Sequence, residues 1–435
     1  MQTVHTAGNN NIDALYRRNR MRVLLAITLG YGFIYTCRLG ISIVKKPLID
    51  GGVFTVADLG LIGSAFFYGY AFGKLLNGFA ADHVGPRFFF SSAIFISAII
   101  NLFMGWSTLV WLSILLWGLN GWFQGQAAPS AVVSITNWFS IKERGRCYGI
   151  WNASHSIGEG ITFFVLAAVV SALGWRYGYI LPGIICIGVA AWVYSFMEDA
   201  PQTLGLPAVN EWKDKRESSV PEAGKNTWRT QKVVFGIGAV WIVAISSGLM
   251  YMTRYGVNSW GILYLQEEHG YSLVEAGTFL TVNTIAGIAG SIIYGFVSDN
   301  LFDARRPPAN LIFAVVEIAA LLLIFYGPAN EWLLAFGFAL YGAGLSGLMA
   351  AIGGLFAVDI APRGAAGAAM GLVGGVSYLG AGTQEIITAS LIDSGLTIVD
   401  GVRHYDFDAA VTYWIGTSIL SAILAASLWN TRIRD

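Results

Sequence analysis

Twelve runs of apolar residues, each about 20 long, constrain this chain more than any other feature. A helix rises 1.5 Å per residue, so about 20 residues cross a hydrocarbon core roughly 30 Å thick. The runs cover approximately residues 22–44, 58–80, 88–107, 109–137, 147–172, 177–197, 233–265, 277–297, 309–327, 332–357, 365–391 and 409–429. In lipid every backbone polar group must find its partner within the protein, and a helix pairs them inside one segment. Only 12% of residues are charged, against roughly 25% in a soluble domain. The expectation is an all-α membrane protein with twelve transmembrane helices, called here segments 1–12.

The charges are segregated. Nineteen Lys and Arg fall in predicted loops on the side of the N-terminus, and four (Lys45, Lys46, Arg176, Arg403) fall on the opposite side. This bias predicts that both termini are cytoplasmic. The first 20 residues are polar and end in an arginine cluster, so segment 1 reads as a retained span rather than a cleaved leader. A bacterial inner membrane is the expected location.

Residues 198–232 form the longest polar stretch and read as a cytoplasmic linker. They divide the chain into an N-terminal segment 1–21, a six-helix bundle 22–197, a second bundle 233–429 and a tail 430–435. Internal similarity supports this division. GFAADHVGPR begins at Gly78, and GFVSDNLFDARR begins at Gly295, 217 positions later. Arg144-Gly145 returns as Arg363-Gly364, 219 positions later. Two six-helix bundles related by a pseudo-two-fold axis, with a site near the midplane between them, are a transporter architecture.

Three basic residues remain inside segments: Arg38, Lys74 and Arg254. A guanidinium stays charged at any accessible pH, and at the bilayer centre it costs at least roughly 2.5–3.5 kcal/mol on insertion scales. Arg38 and Arg254 are 216 positions apart, one in each half. That placement predicts a shared anion site. Tyr31, Tyr35 and Arg38 are spaced i, i+4, i+7 and share a face of segment 1. Tyr70 and Lys74 share a face of segment 2, Asn152 and His155 one of segment 5, and Tyr251 and Arg254 one of segment 7. Arg meets phosphate through a planar fork, and Lys adds a point charge. Other readings stay open: ion pairs of the arginines with Glu159 or Glu385, snorkelling of Lys74 to the interface, and simple packing of the tyrosines and His155.

Cys37, Cys147 and Cys186 are scattered and lack metal spacing, which argues against a disulfide framework or a zinc site. The polar segments show no nucleophile–base constellation or phosphate-binding glycine loop, so an enzyme is not expected. Neither a cofactor, a metal nor nucleic acid is expected as a partner, and the functional unit is expected to be a monomer.

The pattern G-x-x-A-D-x-x-G-x-R at Gly78 lies in the short loop between segments 2 and 3. Asp82 and Arg87 there are expected to latch one conformational state, and the second copy keeps Gly295, Asp299, Arg305 and Arg306. This loop resembles the signature loop of the major facilitator superfamily. YGFIYTCR, GYAFGKLLNGFAAD, GWFQGQAAPS, WFSIKERGRCYGIWNASHSIG, EDAPQTLGLP, YMTRYGVNSW and YLGAG together resemble the organophosphate:phosphate antiporters. The resemblance runs over nearly the whole chain. It implies that Arg38 and Arg254 hold a phosphoryl group, that Lys74 and His155 match the family's lysine and histidine, and that Tyr31, Tyr35, Tyr70 and Tyr378 match its aromatics. The departures cluster in the second half: Thr284, Asn258, Ser259 and Leu348-Met349. In segment 5, Glu159 stands where relatives favour glycine.

The resemblance implies exchange of a phosphorylated sugar of hexose-6-phosphate type for inorganic phosphate. A glycerol-3-phosphate:phosphate antiporter and a transporter-like sugar-phosphate sensor are the alternatives. In the expected mechanism a bound phosphate draws the halves together, an empty site resists closure, His155 titrates with the ligand, and Glu385, facing the cavity, bonds sugar hydroxyls or repels a second anion.

Overall fold

The computed structural model describes residues 2–81, 84–209, 212, 232–303, 305–328, 330–362, 365–399 and 402–430. Among these residues the long α-helices fall into the twelve expected segments, and a 3-10 turn, Pro201–Leu204, lies in the expected linker. Segment 1 is α1 (Gln2–Ile34) followed by α2 (Thr36–Asp50), segment 2 is α3 (Val56–Ala81), and segment 3 is α4 (Pro86–Trp106). Segment 4 is α5 (Val110–Gln124) and α6 (Ala127–Trp138), segment 5 is α7 (Ile141–Leu173), and segment 6 is α8 (Tyr177–Phe196). In the second half, segment 7 is α9 (Gly238–Glu268), segment 8 is α10 (Leu273–Phe296), and segment 9 is α11 (Arg306–Tyr326). Segment 10 is α12 (Glu331–Ala350) and α13 (Phe356–Ile360), segment 11 is α14 (Ala366–Ser394), and segment 12 is α15 (Asp408–Ser427).

Two details differ from expectation. The polar N-terminal residues are continuous with segment 1 in the single helix α1. A short antiparallel hairpin, β1 (Thr397–Val399) with β2 (Val402–His404), joins segments 11 and 12. Most of the expected linker 198–232, and the tail beyond residue 430, lie outside the described residues.

Segments 1 and 4 are broken for local reasons. The Thr36 hydroxyl donates to the Phe33 carbonyl at 2.7 Å, a back-bond that bends helices. The turn tightens there, with the Tyr35 amide bonded to Gly32 O at 3.3 Å. In segment 4, Pro129 has no N–H to offer the Gly125 carbonyl four residues earlier, and the break falls at Gly125–Gln126.

Glycine contacts repeat between the halves. A Cβ on Gly121 would lie 2.0 Å from the Phe66 carbonyl oxygen, and one on Gly342 would lie 1.9 Å from that of Asn283. These contacts join segment 4 to segment 2 and segment 10 to segment 8. Phe66 and Asn283 are 217 positions apart, the offset of the glycine loop motif. Likewise a Cβ on Gly158 would meet Gly32 O at 2.3 Å, and one on Gly380 would meet Gly248 O at 2.7 Å. Overpacking of this kind costs about 1–3 kcal/mol. Gly342→Ala is therefore expected to lower the melting temperature in detergent by several degrees. Gly295→Ala, where nothing lies within 4 Å, should leave it unchanged.

The halves meet where α3 packs on α14, α7 on α10, and α2 on α9. On α3 and α14, a Cβ on Gly60 would meet Ala389 at 2.4 Å, and Tyr68 Oη bonds Thr383 Oγ1 at 3.1 Å. On α7 and α10, Thr281 Oγ1 donates to Gly160 O at 3.0 Å. All of these lie in the helix halves remote from the chain termini, so the bundle is closed on that far side.

Candidate functional site

Amide side chains from neighbouring segments bond to backbone carbonyls on either side of the break at Tyr35. Asn101 and Asn120 both donate to Cys37 O at 2.9 Å, and Gln124 donates to Ile34 O at 3.5 Å. Gln124 is tied in turn to Asn120 at 3.2 Å. This clamp fixes the turn that carries Arg38.

Arg38 is 5% exposed, and its Nε and Nη2 have no hydrogen-bond acceptor among the described residues. Its guanidinium carbon lies 4.5 Å from the Tyr70 ring centre, 4.9 Å from Phe66, 5.2 Å from Tyr35 and 5.8 Å from Tyr378. Ring faces stabilise a cation by about 0.5–2 kcal/mol each, yet they do not supply acceptors for Nε and Nη2. A buried charged donor without an acceptor is costly.

Arg254 has a different setting. Its Nη2 lies 3.4 Å from Glu159 Oε2, and both side chains are buried. Glu159 Oε1 accepts from Asn258 Nδ2 at 2.8 Å, and Asn258 Oδ1 accepts from Asn283 Nδ2 at 3.1 Å. The ion pair with Glu159, one of the readings open from sequence, is therefore formed, and it crosses between the halves. Tyr255 and Tyr251 lie 5.1 and 5.8 Å from the Arg254 guanidinium carbon. Tyr255 and Tyr378, 6.4 Å apart, stand between the two arginines.

Toward the chain termini the surroundings open. Lys74 and Asn152 are exposed, and His155 and Tyr251 are half-buried. Lys74 Nζ is 5.4 Å from the Tyr378 ring, whose other neighbours include Tyr70 at 4.4 Å and Tyr251 at 5.4 Å. The His155 ring stands 5.8 Å from Tyr35, with Nδ1 on the Asn152 carbonyl and Nε2 3.3 Å from Ser156 Oγ. Tyr31 packs on Trp151 at 4.8 Å and on Tyr35 at 5.7 Å. The structure thus gathers Arg38, Lys74, Tyr35, Tyr70, Tyr251, Arg254 and Tyr378 around one centre. Tyr31, Asn152 and His155 border its open side.

On the far side one expectation needs correction. Lys45 reads from sequence as a loop residue, but it is 1% exposed inside α2. Its Nζ lies 2.8 Å from Ser259 Oγ, 3.4 Å from Glu385 Oε2 and 3.2 Å from the Trp260 ring centre. Glu385 also accepts from Trp260 Nε1 at 2.8 Å and Gln384 Nε2 at 3.1 Å. The carboxylate expected to bond sugar hydroxyls is thus occupied by an ion pair across the halves. Lys46 makes a further cross-half pair with Glu267. A water-sized cavity of about 20 Å³, lined by Arg38, Ser42, Tyr255, Asn258, Ser259 and Glu385, links the two layers.

Of the expected latch, Asp82 lies outside the described residues. Arg87 bonds instead to the end of segment 6, through Tyr194 O at 2.6 Å and Glu198 at 3.4 Å, while its amide meets Asp199 at 2.8 Å. Asp299 pairs with Arg306 at 3.3 Å, and Arg306 also reaches Asp359 at 3.0 Å, tying segments 8, 9 and 10 together.

Residues 23–383 match the profile of the Major Facilitator Superfamily. The chain belongs to the major facilitator superfamily. Within this superfamily it is 33% identical over 393 residues to the membrane sensor protein UhpC of Escherichia coli, covering 88% of each chain. It is 30% identical to the glycerol-3-phosphate transporter of Bacillus subtilis, covering 97% of this chain and 95% of that one. A probable hexose phosphate transport protein of Chlamydia pneumoniae is 31% identical, with 84% of each chain covered. The solved structure of a bacterial homolog of the human lysosomal transporter Spinster shares the fold, with a TM-score of 0.75 at 18% identity, covering 94% of this chain and 96% of that one. The relatives are members of a transporter superfamily, not enzymes.

Sequence reasoning missed Lys45, Tyr255, Trp260 and the amides Asn101, Asn120 and Gln124. Two were within reach of helical spacing. Tyr255 and Asn258 complete an i, i+3, i+4, i+7 face with Tyr251 and Arg254, and Lys45 continues the Arg38 face by i+7. The Asn and Gln clamp had no signal, because it answers a helix break.

Proposed function

We propose that this protein carries organophosphates across the membrane, exchanging a phosphorylated sugar of hexose-6-phosphate type for inorganic phosphate. The observation that supports this best is the Arg38 guanidinium, buried with two nitrogens lacking acceptors. A phosphate monoester carries about −1.5 to −2 near neutral pH, and its oxygens suit that fork. Arg254 and Lys74 contribute further positive charge. His155 and Asn152 border the entry, and the Tyr31, Tyr35, Tyr70, Tyr251 and Tyr378 rings offer hydroxyls.

The transport cycle is rocking-bundle alternating access by a single chain. The far-side contacts and the exposed Lys74 and Asn152 support a state open toward the termini. By the positive-inside rule that side is the cytoplasm, and the membrane is a bacterial inner membrane. The pairs Lys45–Glu385 and Lys46–Glu267 then form the gate that parts when the far side opens. Arg87 and the Asp299–Arg306 pair brace the terminal side.

A second reading, with glycerol-3-phosphate as the organic substrate, is favoured by the Bacillus subtilis glycerol-3-phosphate transporter, whose match covers 97% of this chain. Phosphate counterflow into phosphate-loaded proteoliposomes separates the two. Hexose-6-phosphate is expected to inhibit counterflow at a concentration about tenfold lower than glycerol-3-phosphate. The reverse order would establish the second reading. Ligand binding without any counterflow would mean a sensor.

A further inference from the structure

Glu159 lies at the centre of the site, and its backbone has no room to move. A Cβ on Gly158 would meet Gly32 O at 2.3 Å, and one on Gly160 would meet Thr284 Oγ1 at 2.9 Å. These two glycines wedge the Glu159 turn between segment 1 and segment 8. The residue is 3% exposed, and its side-chain bonds to Arg254 and Asn258 go to the opposite half. The two membrane arginines are therefore unequal. Arg38 has nitrogens without an acceptor, whereas Arg254 already has a carboxylate.

We propose that Glu159 is a tethered counter-anion, which neutralises Arg254 in the empty carrier and yields it to the phosphoryl group of a substrate. This rests on the phosphate reading above. Both halves must approach for the carrier to reorient, and an uncompensated guanidinium opposes that approach in a drying cavity. With Glu159 on Arg254 the empty carrier reorients with one fewer bare charge. Asn258 keeps its bond to Glu159 Oε1 at 2.8 Å, so the carboxylate retains a donor when Arg254 turns to the ligand. Two consequences follow. Inorganic phosphate must compete with a local carboxylate, which weakens its binding. The empty carrier also returns, more slowly than the loaded one because Arg38 stays uncompensated, so exchange is accompanied by a slower net flux.

The test uses the full chain in proteoliposomes loaded with inorganic phosphate. Exchange is measured with phosphate outside, and net efflux with none outside. In the parent protein, net efflux is expected within about tenfold of exchange. Glu159→Gln keeps an acceptor for Asn258 but removes the charge. It is expected to lower the ratio of net efflux to exchange by at least about tenfold and to tighten phosphate binding by a similar factor. An unchanged ratio together with unchanged phosphate affinity overturns the proposal. If the variant does not fold, the parent protein decides alone: exchange with no detectable net efflux overturns the proposal and leaves the phosphate reading intact. Absence of exchange in the parent would remove both.

Discussion

Arg38→Lys is expected to lower phosphate self-exchange in proteoliposomes by about a hundredfold or more. The substitution keeps the charge and most of the length, but replaces the fork with a point donor. Two nitrogens of Arg38, Nε and Nη2, have no acceptor among the described residues. Each charge-assisted bond they make to a phosphoryl oxygen contributes about 1.5–3 kcal/mol. An ammonium recovers part of one, so about 3 kcal/mol is lost, which is a factor of about a hundred. The variant should fold, because the Asn101, Asn120 and Gln124 clamp holds the backbone of segment 1 rather than the Arg38 side chain. Its melting temperature in detergent checks this. Arg254→Lys should cost less, about tenfold, because that guanidinium already shares itself with Glu159. Exchange at the parental rate in Arg38→Lys would show that the phosphate site lies elsewhere.

Lys45→Met is expected to open the far side. In the parent, Lys45 and Glu385 are 1% and 0% exposed and form one ion pair between segments 1 and 11. Removing the lysine leaves Glu385 buried without a cation, and breaking such a pair costs about 3–5 kcal/mol. The relief available to the carboxylate is water, and it reaches water when segment 11 leaves segment 2. Those segments touch at Gly60–Ala389 and at Tyr68–Thr383. A cysteine at position 389 should then react with an impermeant thiol reagent at least about tenfold faster than in the parent. The double substitution Lys45→Met with Glu385→Gln removes both charges and should restore most of the stability and much of the closure. Unchanged labelling in Lys45→Met would mean that the gate is held by other contacts.

These expectations rest unevenly on what the sequence made legible. The twelve segments were readable because membrane insertion is decided residue by residue over about 20 positions, and hydropathy measures that quantity. The two-fold repeat was readable because Gly78 and Gly295, like Arg38 and Arg254, recur at nearly one offset. The structure repeats it in backbone contacts, where Gly32 meets Gly158 and Gly248 meets Gly380. Lys45 was misplaced by the same hydropathy reasoning. A lysine beside Lys46 and Pro47 reads as a loop, and nothing local says that Glu385, 340 positions away, neutralises it.

Hydropathy and helical spacing alone place this chain across the bilayer twelve times in two related halves, with one arginine inside a span of each half. Those properties follow from transfer free energies and helical spacing, which belong to short stretches of chain. Which buried cation meets a carboxylate is settled by packing across the two halves. Arg254 takes Glu159, Lys45 takes Glu385, and Arg38 keeps two nitrogens without an acceptor. The pairing of a buried charge depends on what lies within a few ångströms across the interface of the halves, and many carboxylate placements are compatible with one hydropathy profile.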